Sequence, residues 1–159
     1  MIIYRTETAD YEGIILRDIK LTGLSGEVRD VKHIQLTAWP NYGVVDSLPE
    51  LLEFIRKVHG VWTEAGGPLV VHCSGGVGRS GTFTTILTIF NLLTRAVQTG
   101  DLTSLENYLG DQEEMVLTDL VRHLRTVRHP WMVEGEEQYI LAYQAVLGII
   151  HQLSAECEK

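Results

Sequence analysis

Between residues 13 and 38 the apolar side chains alternate or run together in short stretches. Gly13 to Leu21 and Val28 to Ala38 have the spacing of strands, with Thr22-Gly23-Leu24-Ser25-Gly26 as the turn between them. From residue 47 the period lengthens to that of helices. Ser47 is a capping residue, Pro49 falls in the first turn, and Leu51, Leu52, Ile55 and Val58 share one face, so a helix is predicted from Leu48 to the Gly66-Gly67 stop. The compact run Pro68-Leu69-Val70-Val71-His72 reads as a short buried strand. Three more helices are predicted. Thr82 to Val97 is mostly apolar and stops near Gly100, Leu117 to His129 is ended by Pro130, and Glu136 to Glu156 carries Tyr139, Ile140, Tyr143, Val146, Leu147 and Ile150 as an apolar stripe. Strands early and helices late give an α/β chain. It contains no internal repeat or low-complexity segment, and 159 residues suit a single domain with a real core.

Composition narrows the functional classes. The formal net charge of −8 argues against a general nucleic-acid binder, and any attraction for an anionic substrate must come from a local group of cations. Cys73 and Cys157 are the only cysteines, far apart, so no disulfide framework is indicated. The first residues lack the apolar core of a signal peptide, and no stretch has the unbroken apolar length of a membrane span. A cytoplasmic location is the expectation. The six histidines and two cysteines have no metal-ligand spacing, so no metal and no other cofactor is expected.

The candidate chemistry lies in His72-Cys73-Ser74-Gly75-Gly76-Val77-Gly78-Arg79-Ser80-Gly81. A glycine-rich loop leading into a helix turns successive backbone N–H groups inward and adds the positive end of the helix dipole. Such a loop takes an oxyanion, and phosphate fits it. The N–H groups of Ser74, Gly75, Gly76, Val77, Gly78 and Arg79 are the expected donors. Cys73 at the base is the candidate nucleophile, and the Arg79 guanidinium is a bidentate clamp.

These residues resemble the signature of the cysteine-dependent protein tyrosine phosphatases: His-Cys, five residues, then Arg followed by Ser or Thr. Trp39-Pro40-Asn41-Tyr42-Gly43-Val44 looks like the mobile acid loop of the same family. Val121 to Arg128, followed by Met132 to Tyr139, resembles the region that ends in its water-positioning glutamines. The resemblance implies a phosphatase-like α/β fold, a mixed sheet flanked by helices, with the phosphate loop between a central strand and a helix. It also implies a phosphotyrosyl protein as partner and a cysteinyl-phosphate intermediate. By the same resemblance Ser80 donates to the Cys73 sulfur, His72 orients the loop, and Gln138 positions the hydrolytic water. Residues 1–159 then form one catalytic domain without the N-terminal part of the family domain, either a fragment or a compact version.

Two positions depart from the family pattern. Asn41 stands where the family's aspartic acid protonates the leaving oxygen, and an amide cannot deliver a proton. General acid catalysis is worth about 10²–10⁴ in rate. Asp46 is a possible substitute acid, or simply a solvated residue before a helix cap. Glu134 stands where the first glutamine is expected, and its charge opposes phosphate unless it merely serves the first turn of the last helix. Arg122, Arg125 and Arg128 recur every three residues, as a solvated face, as support for the phosphate loop, or as a draw for acidic substrate. The expected function is a protein tyrosine phosphatase with weakened general-acid catalysis. The alternatives are a pseudophosphatase that binds phosphotyrosine without efficient turnover, and a domain that works through protein contacts.

Overall fold

A computed structural model of the chain describes residues 2–8, 13–100 and 113–157. They fall into two compact units, Met1–Pro40 and Asn41–Lys159. In the first unit three strands, β1 (Ile2–Thr8), β2 (Ile14–Thr22) and β3 (Val28–Leu36), form an antiparallel meander in the order β1-β2-β3. The register pairs Ile2 with Leu21 and Thr8 with Ile15 on one side of β2, and Ile14 with Leu36 and Thr22 with Val28 on the other. The predicted turn is present: Gly23 N–H donates to Glu27 O at 2.8 Å, and Gly26 takes φ +88°, a left-handed conformation that suits glycine. Cross-strand polar pairs fix this register. Lys32 meets Asp18 at 2.5 Å, and Arg17 bonds both His33 and Gln35. Among the side chains described in this unit, Ile14 and Trp39 are buried.

The described sheet is antiparallel throughout, in place of the mixed sheet that the family resemblance implies. Pro68 to His72 forms no strand, and Val70 is 82% exposed. A strand is made by its neighbour as much as by its own side chains, and no described strand pairs with this run. β1 is the complementary case: the alternation of its side chains predicts no strand, and its polar second half becomes one through pairing with β2.

The second unit contains four helices among the described residues: α1 (Leu48–Ala65), α2 (Gly78–Thr99), α3 (Glu113–Val127) and α4 (Glu136–Cys157). Ser47 caps α1 by accepting from Glu50 N–H, and Gly66 ends it at φ +62° with its N–H on Trp62 O. α2 is the central element, contacting the other three helices. Phe83, Ile86, Leu87, Ile89, Phe90 and Leu93 are buried along it. Phe54 of α1 tilts against Phe83 with ring centroids 5.4 Å apart, and His59 meets Phe90 edge-on at 5.0 Å.

α2 begins at Gly78 rather than at the expected Thr82, so its first turn is built from the end of the glycine loop itself. Gly81 N–H bonds Val77 O, and the Thr82 and Thr85 hydroxyls back-bond to Gly78 O and Gly81 O. The buried face of α4 is also rotated from the expected stripe. It runs through Gln138, Leu141, Ala142, Ala145, Val146, Ile149 and Ile150, leaving Ile140 and Tyr143 exposed. The alanines face inward, and a Cβ on Gly148 would sit 3.0 Å from the Leu52 methyl of α1. Ranking α4 by hydrophobicity favoured its larger side chains over the small ones on this face.

Candidate active site

Residues 73–79 curl over the start of α2. Cys73 is half-buried at the base, and Gly76 N–H donates to its sulfur at 3.2 Å. Gly76 needs its glycine because it takes φ +69°, and Arg128 Nη2 lies nearby, at van der Waals distance from where a Cβ would stand. Arg128 thus adds a second cation against the loop. Burial pushes the Cys73 thiol up, but the Ser80 hydroxyl and the backbone N–H groups of Ser80, Gly76 and Val77 favour the thiolate more, and the pKa falls from 9.0 to about 7. Ser80 Oγ is itself buried and otherwise unsatisfied. An orphaned donor beside a sulfur is a donor that engages fully once the sulfur is ionised.

Arg79 rises from the first turn of α2. Its Nη2 donates to Ser74 Oγ at 2.9 Å and to Asn41 Oδ1 at 3.0 Å, and Ser74 Oγ donates to the same Asn41 oxygen at 3.1 Å. The structure therefore brings Cys73, Ser74, Arg79, Ser80 and Asn41 together. Asp46 is exposed just before the Ser47 cap and makes no hydrogen bond or ion pair among the described residues.

Gln138 is buried and fully engaged on its oxygen. Oε1 accepts from Glu134 N–H at 3.1 Å and Thr82 Oγ1 at 3.3 Å, while Nε2 donates to Gly43 O at 3.2 Å. It links the Asn41–Val44 segment, the start of α2 and the start of α4. Gly78 carries no Cβ because one would stand 2.9 Å from Gln138 Oε1 and 3.1 Å from Glu134 Oε2. The Glu134 carboxylate is thus placed beside the first turn of α2, at the positive end of its dipole.

The three arginines of α3 and its end serve three different purposes. Arg122 pairs with Asp119 on the surface, and Arg128 reaches Gly76. Arg125 donates from Nε to Met132 O at 2.9 Å and from Nη2 to Val133 O at 3.0 Å. That pair of hydrogen bonds holds the Met132-Val133 turn, which packs so closely on Gly81 that a Cβ there would lie 2.5 Å from Val133 N. Sequence spacing marked Arg125 but could not assign its partners, which are backbone carbonyls in a turn beyond the helix. Trp131 is 64% exposed at that turn, so it is not a core residue.

Comparison with known proteins gives a consistent result. The family model described as protein-tyrosine phosphatase matches residues 1–148. The mouse tyrosine-protein phosphatase non-receptor type 13 is 35% identical over 149 residues, covering 93% of this chain and 5% of that protein. The Lar-like tyrosine-protein phosphatase of Caenorhabditis elegans is 36% identical over 138 residues, covering 87% of this chain and 6% of that protein. Drosophila melanogaster Lar is 29% identical over 148 residues, covering 91% of this chain and 6% of that protein. The chain thus spans only 5–6% of the length of these curated relatives. Among its described residues, no helix is long and apolar enough to cross a membrane.

Proposed function

The chain belongs to the protein-tyrosine phosphatase family, and we propose that it hydrolyses phosphotyrosine in protein substrates through a Cys73 phosphoenzyme, with weakened general-acid catalysis. The observation that carries this reading is the Cys73 thiol, lowered to about 7, at the base of a loop topped by Arg79. In the first step the thiolate attacks phosphorus, the S–P bond forms and the ester P–O bond breaks. Arg79 and the loop N–H groups take up the charge on the phosphoryl oxygens. The tyrosine oxygen leaves as phenolate and takes its proton from water, because Asn41 has none to give. In the second step water attacks phosphorus, a P–O bond forms and the S–P bond breaks, the water's extra proton passes to solvent, inorganic phosphate departs, and Ser80 donates to the Cys73 thiolate as it leaves. A nucleophilic thiolate persists in a reducing compartment, which supports a cytoplasmic site of action.

Phosphate release from a phosphotyrosyl peptide and from para-nitrophenyl phosphate tests this reading. Tyrosine's phenol has a pKa of about 10, so its departure suffers most from the missing acid. Native chain should turn over nitrophenyl phosphate readily and the peptide slowly. Cys73→Ser should abolish both, and unchanged release in that variant overturns the proposal. Asn41→Asp should raise kcat on the peptide by about 10-fold or more, with little gain on the activated ester. A second reading, phosphotyrosine binding without turnover, draws on the Asn41 oxygen at Arg79 and the Glu134 carboxylate beside α2. It becomes the better one if the native chain binds the phosphopeptide through Arg79 but releases no phosphate.

A further inference from the structure

Arginine can only donate, so the Asn41 atom 3.0 Å from Arg79 Nη2 is the side-chain oxygen and not the amide nitrogen. Ser74 Oγ bonds the same oxygen and also accepts from the same Nη2. That nitrogen is thereby engaged by two of the chain's own oxygens. A phosphoryl group held bidentately needs N–H groups from this guanidinium. The Asn41 carbonyl already accepts from the guanidinium that such a group would need.

The segment carrying Asn41 is held from a second side. Gln138 Nε2 donates to Gly43 O, and the Gln138 oxygen is anchored by Glu134 N–H and Thr82. Between the two anchors Tyr42 takes φ +61°, a left-handed conformation that a bulky side chain adopts only when its neighbours impose it. Its side chain is 81% exposed, so its own packing does not impose it. The two anchors do.

We infer that Asn41 is an internal competitor for the phosphoryl group: at rest its side-chain carbonyl occupies Arg79, Gln138 fixes the segment behind it, and an oxyanion enters by displacing that carbonyl. The inference rests on reading this loop as a phosphotyrosine site. Because the latch is a neutral amide, it does not titrate. An aspartate in its place would form an ion pair with Arg79 and close more tightly while ionised.

Titration calorimetry with orthovanadate and with inorganic phosphate on the full chain tests the latch. Asn41 is exposed and lies outside every described helix, so Asn41→Ala should leave the fold intact. It should bind both anions about 5-fold more tightly than native. Asn41→Asp should bind them more weakly than native at pH 7.5 and approach native as the pH falls through the carboxylate range. Gln138→Met removes the donor to Gly43 without adding a charge, and should shift affinity in the same direction as Asn41→Ala. Affinity equal to native or weaker in Asn41→Ala overturns the latch. Arg79→Ala separates the two levels of the argument: anion binding that survives it overturns the phosphate site itself, whereas its loss together with an unchanged Asn41→Ala overturns the latch alone.

Discussion

A thiol lowered to about 7 is half ionised near physiological pH, and its reactivity should rise through that pH rather than through the ordinary thiol range of about 8.5. The thiolate is the reactive form, so alkylation of Cys73 by iodoacetamide should be slow at pH 5.5 and reach half its maximum near pH 7. Ser80→Ala removes the side-chain donor and should move that midpoint upward, and an unmoved midpoint would show that the backbone N–H groups suffice. That Cys73, Arg79 and Ser80 lie together was legible in the sequence because they sit within eight consecutive positions, while their roles are what the family resemblance implies. The use made of Asn41 was not. Its type revealed that it cannot protonate a leaving group, but its contacts with Ser74 and Arg79 span 33 and 38 residues. Gln138 carries the same lesson, since its side-chain oxygen is spent on Glu134 N–H and Thr82 and its nitrogen on Gly43, partners that its place in a motif does not specify.

Local signals and long-range packing divide the elements in the same way. Both ends of α1 were readable, because a serine cap and an αL glycine are chemistry of adjacent residues. The segment 68–72 and β1 were not, because a strand depends on whether a partner lies alongside. The buried face of α4 was misjudged where alanine and glycine, rather than larger residues, meet the neighbouring helices. Glycines at helix junctions offer a direct check. At Gly81 an added Cβ would stand 2.5 Å from Val133 N, a backbone atom in a residue at φ +60° whose carbonyl Arg125 grips. That junction cannot yield cheaply, and Gly81→Ala should cost about 1–3 kcal/mol in denaturant unfolding. At Gly148 the same addition meets only the flexible tip of Leu52 at 3.0 Å, inside a helix where alanine is favoured over glycine by about 1 kcal/mol. Gly148→Ala should therefore leave stability nearly unchanged. Equal losses at the two sites would mean that the Met132-Val133 turn is softer than its hydrogen bonds indicate.

At the scale of the whole molecule the decisive quantity is charge. The chain carries a formal −8, yet its glycine loop is topped by Arg79 and flanked by Arg128 at Gly76. On the proposed function, a phosphorylated substrate would meet general repulsion at long range and attraction only within the last few ångströms. Salt separates these two fields, because exposed charges farther apart than about 10 Å are largely screened at 0.1 M while contacts inside the loop are screened much less. Two phosphotyrosyl peptides, one with acidic and one with basic flanks, should respond in opposite senses. Raising the ionic strength from about 0.05 to 0.15 M should increase kcat/KM for the acidic peptide, by relieving repulsion in the encounter, and decrease it for the basic one, by weakening steering. The effect belongs in kcat/KM and not in kcat, since the flanking charges act before the phosphoryl group reaches Cys73. A parallel fall for both peptides would mean that the cations at the loop dominate even the approach. In that case the acidic balance of the chain does not govern which substrates it meets.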